Sequence, residues 1–447
     1  MNLATGRPLS PLQRMLWLLD RHRRGSGVMN VPIIYRIQGD LRIEALTAAL
    51  SDVEARHEAL RTRFRPTGLR WTQVVHPPIP ARLHEKDLRG TTDPEAARDA
   101  EVATLMREEM DITTDVPYRA WLLRTRDEDH TLVINVHHLV TDAWSNLLVC
   151  RDLAIAYNRR TGEMEADQQP PAGWQFGQFL DWQEQQLDDA TRDFHIEFWR
   201  SKLEGLQPIG LPPAPARPAR LSPAAGNIWF KLDPQAVQAL RELARLERTT
   251  LFAGLLAVFY GVLAAASGSD DLAIGSVLAN RTREEVYETV GLFANMVLLR
   301  TRLPADATFR EVLRETGRTV LEALDHQQLP YMSIPVDKLP PIPERPETVV
   351  FHMLAVPRRA VTSDGVRFEG LSVEPLRMPE GSGSRFDMEL LIIPQERGAE
   401  GVFRFATDQF DRSFVQQLAN TYVGMLSRAL EAPDSPLPRD LGSPVVQ

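Results

Sequence analysis

At 447 residues the chain is longer than one ordinary hydrophobic core supports, so two domains or lobes are expected. A formal net charge of −9, with no basic stripe, argues against a nucleic-acid partner. The single cysteine, Cys150, excludes an internal disulfide and is typical of a reducing compartment. No secretory signal and no apolar run of about 20 residues is recognisable, so a cytoplasmic location without a membrane partner is expected.

Helical and strand patterns alternate along the first half of the chain, which predicts an α/β fold. The first helix begins after a Ser-Pro pair, and Leu12, Leu16 and Leu19 then fall on one face. The predicted elements, in order, are a helix at 8–21, a strand at 31–37, a helix at 42–57, a strand at 71–75, a helix at 94–110, and strands at 118–125 and 132–136.

The second half repeats this alternation after a Pro-rich segment at 206–226, which reads as a linker because proline at that density disfavours helices and central strands. Residues 174–203 are expected to be helical before the linker, and a second Pro-rich stretch covers 330–346. The predicted strands are 227–232, 272–277, 296–302, 349–356, 388–393 and 402–407, and the predicted helices are 234–247, 250–266, 308–324 and 414–430.

Two adjacent imidazoles and a carboxylate, His137, His138 and Asp142, lie where the strand at 132–136 gives way to a predicted helix. Thr141 or Asp142 is the expected N-cap of that helix. An imidazole can accept or donate a proton near neutral pH. Because neighbouring strand side chains point to opposite faces, one histidine is expected to face a cleft and the other to be packed. These residues alone favour an acid/base histidine.

Three other interpretations of the pair stay open. Packed strand-end histidines with a capping aspartate are what this spacing would most often mean if found alone. A metal site is conceivable because His138 and Asp142 are four residues apart, but no third ligand cluster is near them in the sequence. A Ser-His-Asp hydrolase requires a nucleophile motif such as G-x-S-x-G. None surrounds the serines considered, which are Ser145, Ser267, Ser276 and Ser333.

The stretch HHLVTDAWS resembles the HHxxxDG motif of the condensation domains of nonribosomal peptide synthetases, which belong to the chloramphenicol-acetyltransferase-like acyltransferases. Companion motifs occur in the family's order. PLSPLQRMLW, RHEALRTRF, FGQFLDWQ, VGLFANMVLLR and HQQLPYMSI resemble the first, second, fourth, fifth and sixth condensation motifs. The resemblance extends over roughly residues 8 to 430, and the joint pattern is far more specific than any one motif.

The resemblance implies an α/β fold of two chloramphenicol-acetyltransferase-like lobes, arranged as a V-shaped pseudodimer with the active-site tunnel between them. The expected boundaries are an N-terminal lobe at 1–175, connecting helices and the Pro-rich linker at 176–226, and a C-terminal lobe at 227–447. The donor is expected to be an acyl or peptidyl thioester on a carrier protein's phosphopantetheine arm, which belongs to the substrate. The acceptor is another carrier protein or a small amine or alcohol. No bound cofactor and no metal are expected, and the protein is expected to be monomeric.

Carried over by motif position, His138 is the catalytic histidine that promotes or orients attack by the acceptor. His137 and Asp142 are supporting residues, followed in the motif by Ala143, Trp144 and Ser145. The family's aspartate pairs with an arginine of the other lobe, for which Arg281 is the candidate. Ala143 stands where the motif has glycine. If that backbone is helical, alanine is harmless; if its φ is positive, alanine costs about 1 kcal/mol.

The leading functional hypothesis is a condensation enzyme of nonribosomal peptide or hybrid polyketide biosynthesis, forming amides or esters in secondary metabolism. Two other enzymatic hypotheses are a polyketide-associated type of O-acyltransferase and an epimerisation domain. A non-catalytic recruitment domain is the alternative from another class, and retention of both histidines disfavours it.

Overall fold

The structure of the chain is a computed structural model that describes residues 6–22, 27–68, 70–162, 170–171, 173–211, 224–341, 348–354, 367–377 and 384–441. Most of the predicted linker at 206–226 lies outside the described residues. The same holds for part of the second Pro-rich stretch at 330–346 and for the end of the strand predicted at 349–356.

Helices and strands alternate through the described chain, which confirms the predicted α/β class. The helices are α1 (Pro11–His22), α2 (Ile43–Arg56), α3 (Pro94–Leu105), α4 (Ala143–Thr161), α5 (Phe176–Gln185), α6 (Asp189–Leu203), α7 (Pro234–Leu246), α8 (Leu251–Ser267), α9 (Phe309–Asp325) and α10 (Arg412–Glu431). The strands are β1 (Arg7–Pro8), β2 (Asn30–Gln38), β3 (Thr62–Thr67), β4 (Arg70–Val75), β5 (Leu83–Asp87), β6 (Tyr118–Arg126), β7 (Asp129–His137), β8 (Ala225–Leu232), β9 (Asp271–Leu278), β10 (Asn295–Arg302), β11 (Val349–Met353), β12 (Ser372–Pro375), β13 (Met388–Pro394) and β14 (Ala399–Ala406).

The chain divides into two compact units, neither of which is contiguous in sequence. Unit 1 is formed by Met1–Gln186, Ala279–Ala294 and Ala355–Ser382. Unit 2 is formed by Leu187–Leu278, Asn295–Leu354 and Gly383–Gln447. The boundaries expected from the sequence placed everything after residue 226 in one lobe, whereas the structure groups two segments of that half with unit 1.

Unit 1 contains a five-stranded sheet in the order β12-β2-β7-β6-β5 and a three-stranded sheet in the order β1-β4-β3. Strand β7 lies in the middle of the larger sheet, antiparallel to β2 and β6, and is buried along its whole length. Apolar side chains from β7, α2 and α4 share one core in this unit. The chain leaving β7 is therefore anchored in the buried core of unit 1.

Unit 2 contains a six-stranded sheet in the order β10-β9-β11-β13-β14-β8. Strand β11 runs parallel to β9 and β13, and the other neighbouring pairs are antiparallel. The apolar helix α8 is a core helix, as predicted, and most of its side chains are buried. Among the described residues no single helix is long and apolar enough to cross a membrane, and only the bent pair α7 and α8 meets the length and composition criteria together.

The segment predicted to be helical at 174–203 forms two helices, α5 and α6. Asp188 starts a new helix because its side chain accepts a hydrogen bond from the backbone N–H of Thr191. The helix predicted at 94–110 also ends earlier, at Leu105.

Candidate active site

The site is built on the turn that joins β7 to α4 in unit 1. Strand β7 ends at His137, whose backbone N–H donates to the carbonyl of Pro117 over 2.8 Å. Helix α4 begins at Ala143 with Asp142 as its N-cap. We call residues 138–142 the histidine loop. It is held at both ends, by a buried strand and by a capped helix.

His137 is packed, as expected, with 2% of its surface exposed. Its Nδ1 accepts a hydrogen bond from the backbone N–H of Leu139 at 3.3 Å, so Nδ1 carries no proton. The proton is therefore on Nε2, which lies 3.9 Å from a carboxylate oxygen of Asp20. These contacts give His137 a role in holding the turn.

His138 is partly exposed, unlike the residues on either side of it. Its backbone N–H donates to the carbonyl of Met29 at 2.8 Å, which ties the histidine loop to the start of β2. Its Nδ1 lies 2.8 Å from the carbonyl oxygen of Thr141. A carbonyl can only accept, so Nδ1 carries the proton and the neutral ring keeps its lone pair on Nε2. The two histidines thus have opposite tautomers.

The carboxylate of Asp142 accepts hydrogen bonds from two parts of unit 1. Oδ1 caps α4 by accepting from the N–H of Ser145 at 2.8 Å. Oδ2 accepts from the N–H groups of Phe293 and Ala294 at 3.0 and 3.2 Å. Asp142 therefore joins the histidine loop to the segment Ala279–Ala294, which we call the clasp segment.

Arg281, in the clasp segment, reaches the same carboxylate. Its Nη2 is 3.5 Å from Oδ1 of Asp142, and its Nη1 donates to the carbonyls of Val286 and Thr289. The guanidinium also lies over the ring of Phe293, 4.1 Å from its centroid. Burial lowers the pKa of Arg281, and the charge of Asp142 opposes that effect. Both residues belong to unit 1, so the structure does not group Arg281 with a second lobe as the sequence expectation had it.

Trp144 and Ser145 also contact the clasp segment. Ser145 is buried, and its Oγ donates to the carbonyl of Gly291, accepts from the N–H of Gly291, and accepts from Arg281 at 2.8 Å. The indole Nε1 of Trp144 donates to the carbonyl of Tyr287 at 3.1 Å. Both side chains therefore hold the clasp segment against the start of α4.

Ala143 is the first residue of α4, and its side chain is exposed. It is absent from the positive-φ residues of the described chain, which outside glycine are Arg248 and Asn280. Alanine at the first helical position is therefore unstrained, and the substitution of the motif glycine leaves the turn intact.

Three further residues also shape the histidine loop: Gln13 and Asn146, which the sequence did not single out, and Thr141, which was considered only as an N-cap. Gln13, on α1, donates through Nε2 to the carbonyl of Leu139 at 2.9 Å. Thr141 donates through Oγ1 to the side-chain oxygen of Asn146 at 2.6 Å. Behind the loop lies a cavity of about 340 Å³ whose lining includes Gln13 and Val140. Gln13 lies within the first motif, and its place in that motif was the available signal.

A buried ionic network lies further along α4. The carboxylate of Asp152 accepts from Arg56 Nε at 2.9 Å and from Arg151 Nη2 at 2.7 Å, and lies 2.8 Å from His57 Nε2. Arg151 also pairs with Glu288 of the clasp segment. The second motif, RHEALRTRF, thus acts through Arg56 and His57 on the packing of α2 against α4.

The contacts of Asp142 bear on the alternative that it and His138 are metal ligands. No group of three or more His, Cys, Asp or Glu side chains that could hold a metal ion occurs among the residues that the structure describes. Both oxygens of Asp142 are engaged by N–H donors and Arg281, so the pairing of His138 and Asp142 as ligands would require those bonds to break.

Comparison with known proteins supplies the family. The model of the condensation domain matches residues 4–441. Chondramide synthase cmdD of Chondromyces crocatus is 33% identical over 92% of this chain, and nonribosomal peptide synthetase kk1B of Curvularia clavata is 30% identical over 95%. The chain spans 10% and 3% of the lengths of these two relatives.

Among solved structures, the X-domain from teicoplanin biosynthesis is 27% identical, with a TM-score of 0.82 and 98% of each chain covered. The same X-domain has also been solved in complex with OxyB. The family model, the relatives and the solved structures all indicate the same family along the chain. The chain belongs to the condensation-domain family of the nonribosomal peptide synthetase type and has the chloramphenicol-acetyltransferase-like fold of that family.

Proposed function

We propose that the chain is an acyltransferase that joins an acyl or peptidyl group from a carrier protein to an amine or alcohol. The observation that carries this proposal is the hydrogen bond between His138 Nδ1 and the carbonyl of Thr141, at 2.8 Å. It places the proton of the neutral ring on Nδ1, so that Nε2 is the unprotonated nitrogen. A partly exposed imidazole in that state is suited to accept or orient the proton of an attacking nucleophile.

In the proposed reaction the acceptor nitrogen or oxygen attacks the carbonyl carbon of the thioester. The new C–N or C–O bond forms, His138 Nε2 takes or orients the acceptor's proton, and the C–S bond then breaks. The proton goes to the leaving thiol of the phosphopantetheine arm, so the enzyme ends unchanged and needs no bound cofactor. An amine is already nucleophilic, so positioning supplies part of the rate.

Retention of the whole motif geometry supports catalysis over a degenerate site. His137, His138 and Asp142 each make the contacts that a rigid histidine loop requires. Ala143 adds no strain. The relatives at 33% and 30% identity are named chondramide synthase and nonribosomal peptide synthetase. For this chain we correspondingly propose that it acts in the cytoplasm on substrates bound to carrier proteins.

A recruitment domain is the second candidate. It is favoured by the likeness to the X-domain from teicoplanin biosynthesis, whose complex with OxyB is a structure of a condensation-like fold bound to a partner protein. In that role the histidine loop would stabilise the fold without catalysing a reaction, and the chain would bind a protein partner in place of an acyl acceptor.

The test is to incubate the protein with acyl-loaded carrier proteins and a panel of amines and alcohols, and to follow product by mass spectrometry. Amide product supports condensation, and ester product from alcohols alone supports the O-acyltransferase alternative. Deuterium exchange at the α-carbon without product supports epimerisation. Absence of all three, together with tight binding of an oxygenase, would overturn the proposal in favour of recruitment.

The variant His138→Ala is expected to lower kcat by about 100-fold or more, the usual contribution of a general acid–base group. The matched control is His84→Ala, which removes an exposed imidazole on β5 of the same unit and should leave turnover unchanged. Turnover of His138→Ala close to that of the control would contradict the role given to His138.

A further inference from the structure

We propose that Gln13 is a positioning residue that keeps His138 in its reactive tautomer by fixing the backbone of the histidine loop. This inference rests on the proposed function. It adds a role for the first motif, whose side chains do not otherwise enter the chemistry. Gln13 acts through the loop, without contact to substrate.

The side-chain amide of Gln13 has one possible orientation. Gln13 is 1% exposed, and its Oε1 accepts from the backbone N–H of Ser10 at 2.9 Å and from Gln73 Nε2 at 3.2 Å. Two donors at Oε1 leave the NH₂ group to face the carbonyl of Leu139, which it reaches at 2.9 Å. The donor to the histidine loop is therefore held in place by the start of α1 and by β4.

The carbonyl that accepts from Gln13 belongs to Leu139, which lies in the sequence between His138 and Thr141, the two residues whose hydrogen bond fixes the tautomer. Leu139 directly follows His138, and the carbonyl that accepts from His138 Nδ1 belongs to Thr141, two residues further on. Leu139 is completely buried, so its carbonyl has no water to replace a lost donor. Without Gln13 this peptide would turn toward another donor and carry the Thr141 carbonyl away from Nδ1.

The consequence for chemistry follows from the tautomer. Once the Thr141 carbonyl leaves, the proton of the neutral imidazole can move from Nδ1 to Nε2. A ring protonated at Nε2 cannot accept a proton there. The loss should fall on kcat, since the proposed role of Gln13 is to hold the tautomer of His138 and not to bind substrate.

The test compares Gln13→Glu with Gln175→Glu. The first change keeps size and acceptor capacity but removes the N–H donor to Leu139. The second removes the same kind of donor elsewhere in unit 1, because Gln175 Nε2 donates to the carbonyl of Arg56 and its Oε1 accepts from the N–H of Glu58. We expect Gln13→Glu to lower kcat at least about tenfold with KM little changed, and Gln175→Glu to leave kcat near wild type.

A second readout needs no substrate and separates this inference from the proposed function. Nitrogen-15 NMR of labelled histidines, with His138→Ala to assign the signal, reports the tautomer of His138. Wild type should show the proton on Nδ1, and Gln13→Glu should show a mixture. A mixture supports the inference even if no condensation product is ever found.

Two results would overturn it. One is an unchanged His138 tautomer in Gln13→Glu. The other is a loss of kcat that Gln175→Glu shares in proportion to a common fall in the unfolding midpoint, since that pattern belongs to a purely structural role.

Discussion

Both oxygens of Asp142 are taken up by N–H donors from α4 and from the clasp segment, and the nearby guanidinium of Arg281 is itself buried. This residue therefore cannot serve as a proton acceptor without unpairing its surroundings. Its neighbour His138 has the opposite character, with one ring nitrogen fixed and the ring partly exposed. Asp142 and His138 therefore differ in role because their hydrogen-bond partners differ.

Asp142→Ala is expected to destabilise the fold by about 3 to 5 kcal/mol, because it removes a helix cap and leaves Arg281 buried without its carboxylate. The measurement is the free energy of unfolding in urea. The control is Asp188→Ala, which removes an exposed N-cap from α6 and should cost about 1 kcal/mol. Equal losses in the two variants would show that the bonds to the clasp segment contribute nothing.

Ala143→Gly should leave turnover unchanged, because position 143 is helical and needs no positive φ. Glycine is more flexible in the unfolded chain, so the unfolding free energy should fall by up to about 1 kcal/mol. A gain in kcat on restoring the glycine, measured in the carrier-protein assay, would mean that Ala143 limits catalysis.

At the residue scale, sequence reasoning can identify what depends on neighbours along the chain. A capping aspartate before apolar residues at helical spacing predicts its own hydrogen bond, as Asp142 does with Ser145. The bonds of Asp142 to Phe293 and Ala294 span 151 and 152 residues and have no local signal. The tautomer of His138 depends on a carbonyl whose direction only the folded turn defines.

At the element scale, the clasp segment explains why the fifth motif contains Gly291. A Cβ at this glycine would lie 2.6 Å from the ring of Phe176, so only a hydrogen fits between the backbone and α5. The same backbone exchanges two hydrogen bonds with Ser145 at the start of α4. The glycine thus permits the contact that closes the clasp segment over the site.

Gly291→Ala is expected to lower stability by about 1 to 3 kcal/mol through overpacking against Phe176, and to lower turnover by loosening the start of α4. Unfolding free energy and kcat are measured together. The control is Gly424→Ala in α10, where a Cβ meets nothing within 4 Å and alanine should stabilise the helix. A stable, fully active Gly291→Ala protein would show that the Phe176 ring can move away from a Cβ at position 291 without loss of stability.

The elements that sequence reasoning missed are short or exposed. Strand β12 has four residues, and β5 is exposed at four of its five positions, so neither shows the apolar alternation that marks a strand. Each lies at an edge of the larger sheet of unit 1, where pairing with one neighbour suffices. The long apolar elements, such as β7 and α8, were predicted because burial imposes their pattern.

At the scale of the whole molecule, the order of elements is readable from the sequence and their grouping is not. The clasp segment separates β9 from β10, two adjacent strands of unit 2, yet it belongs to unit 1. Its membership is decided by Arg281, by Ser145 and by the Asp142 carboxylate, all long-range contacts. A single domain boundary in the sequence could not have described these units, because each consists of three separate segments.

Buried histidines give both units a common response to acid. In unit 1, burial lowers the pKa of His57, although Asp152 raises it and Arg56 and Arg151 add to the lowering. In unit 2, burial lowers the pKa values of His195 and His326, whose Nδ1 atoms are 3.0 Å apart. His195 and Lys202 lower the pKa of His326 further, and Asp325 and Glu322 oppose this.

The pKa values of these histidines in the folded protein lie below the ordinary 6.5. As pH falls through 6.5, the unfolded chain therefore binds more protons than the native protein does. The contribution of these histidines to stability is therefore present above pH 6.5 and should decline as pH falls below 6.5, with a slope of up to about 1.4 kcal/mol per pH unit for each proton. Urea unfolding at pH 7.5, 6.5 and 5.5 measures the decline. His326→Phe, which can keep the stacking on Phe198, should flatten the slope. An unfolding free energy that is the same at pH 7.5 and 5.5 would contradict the role of these histidines.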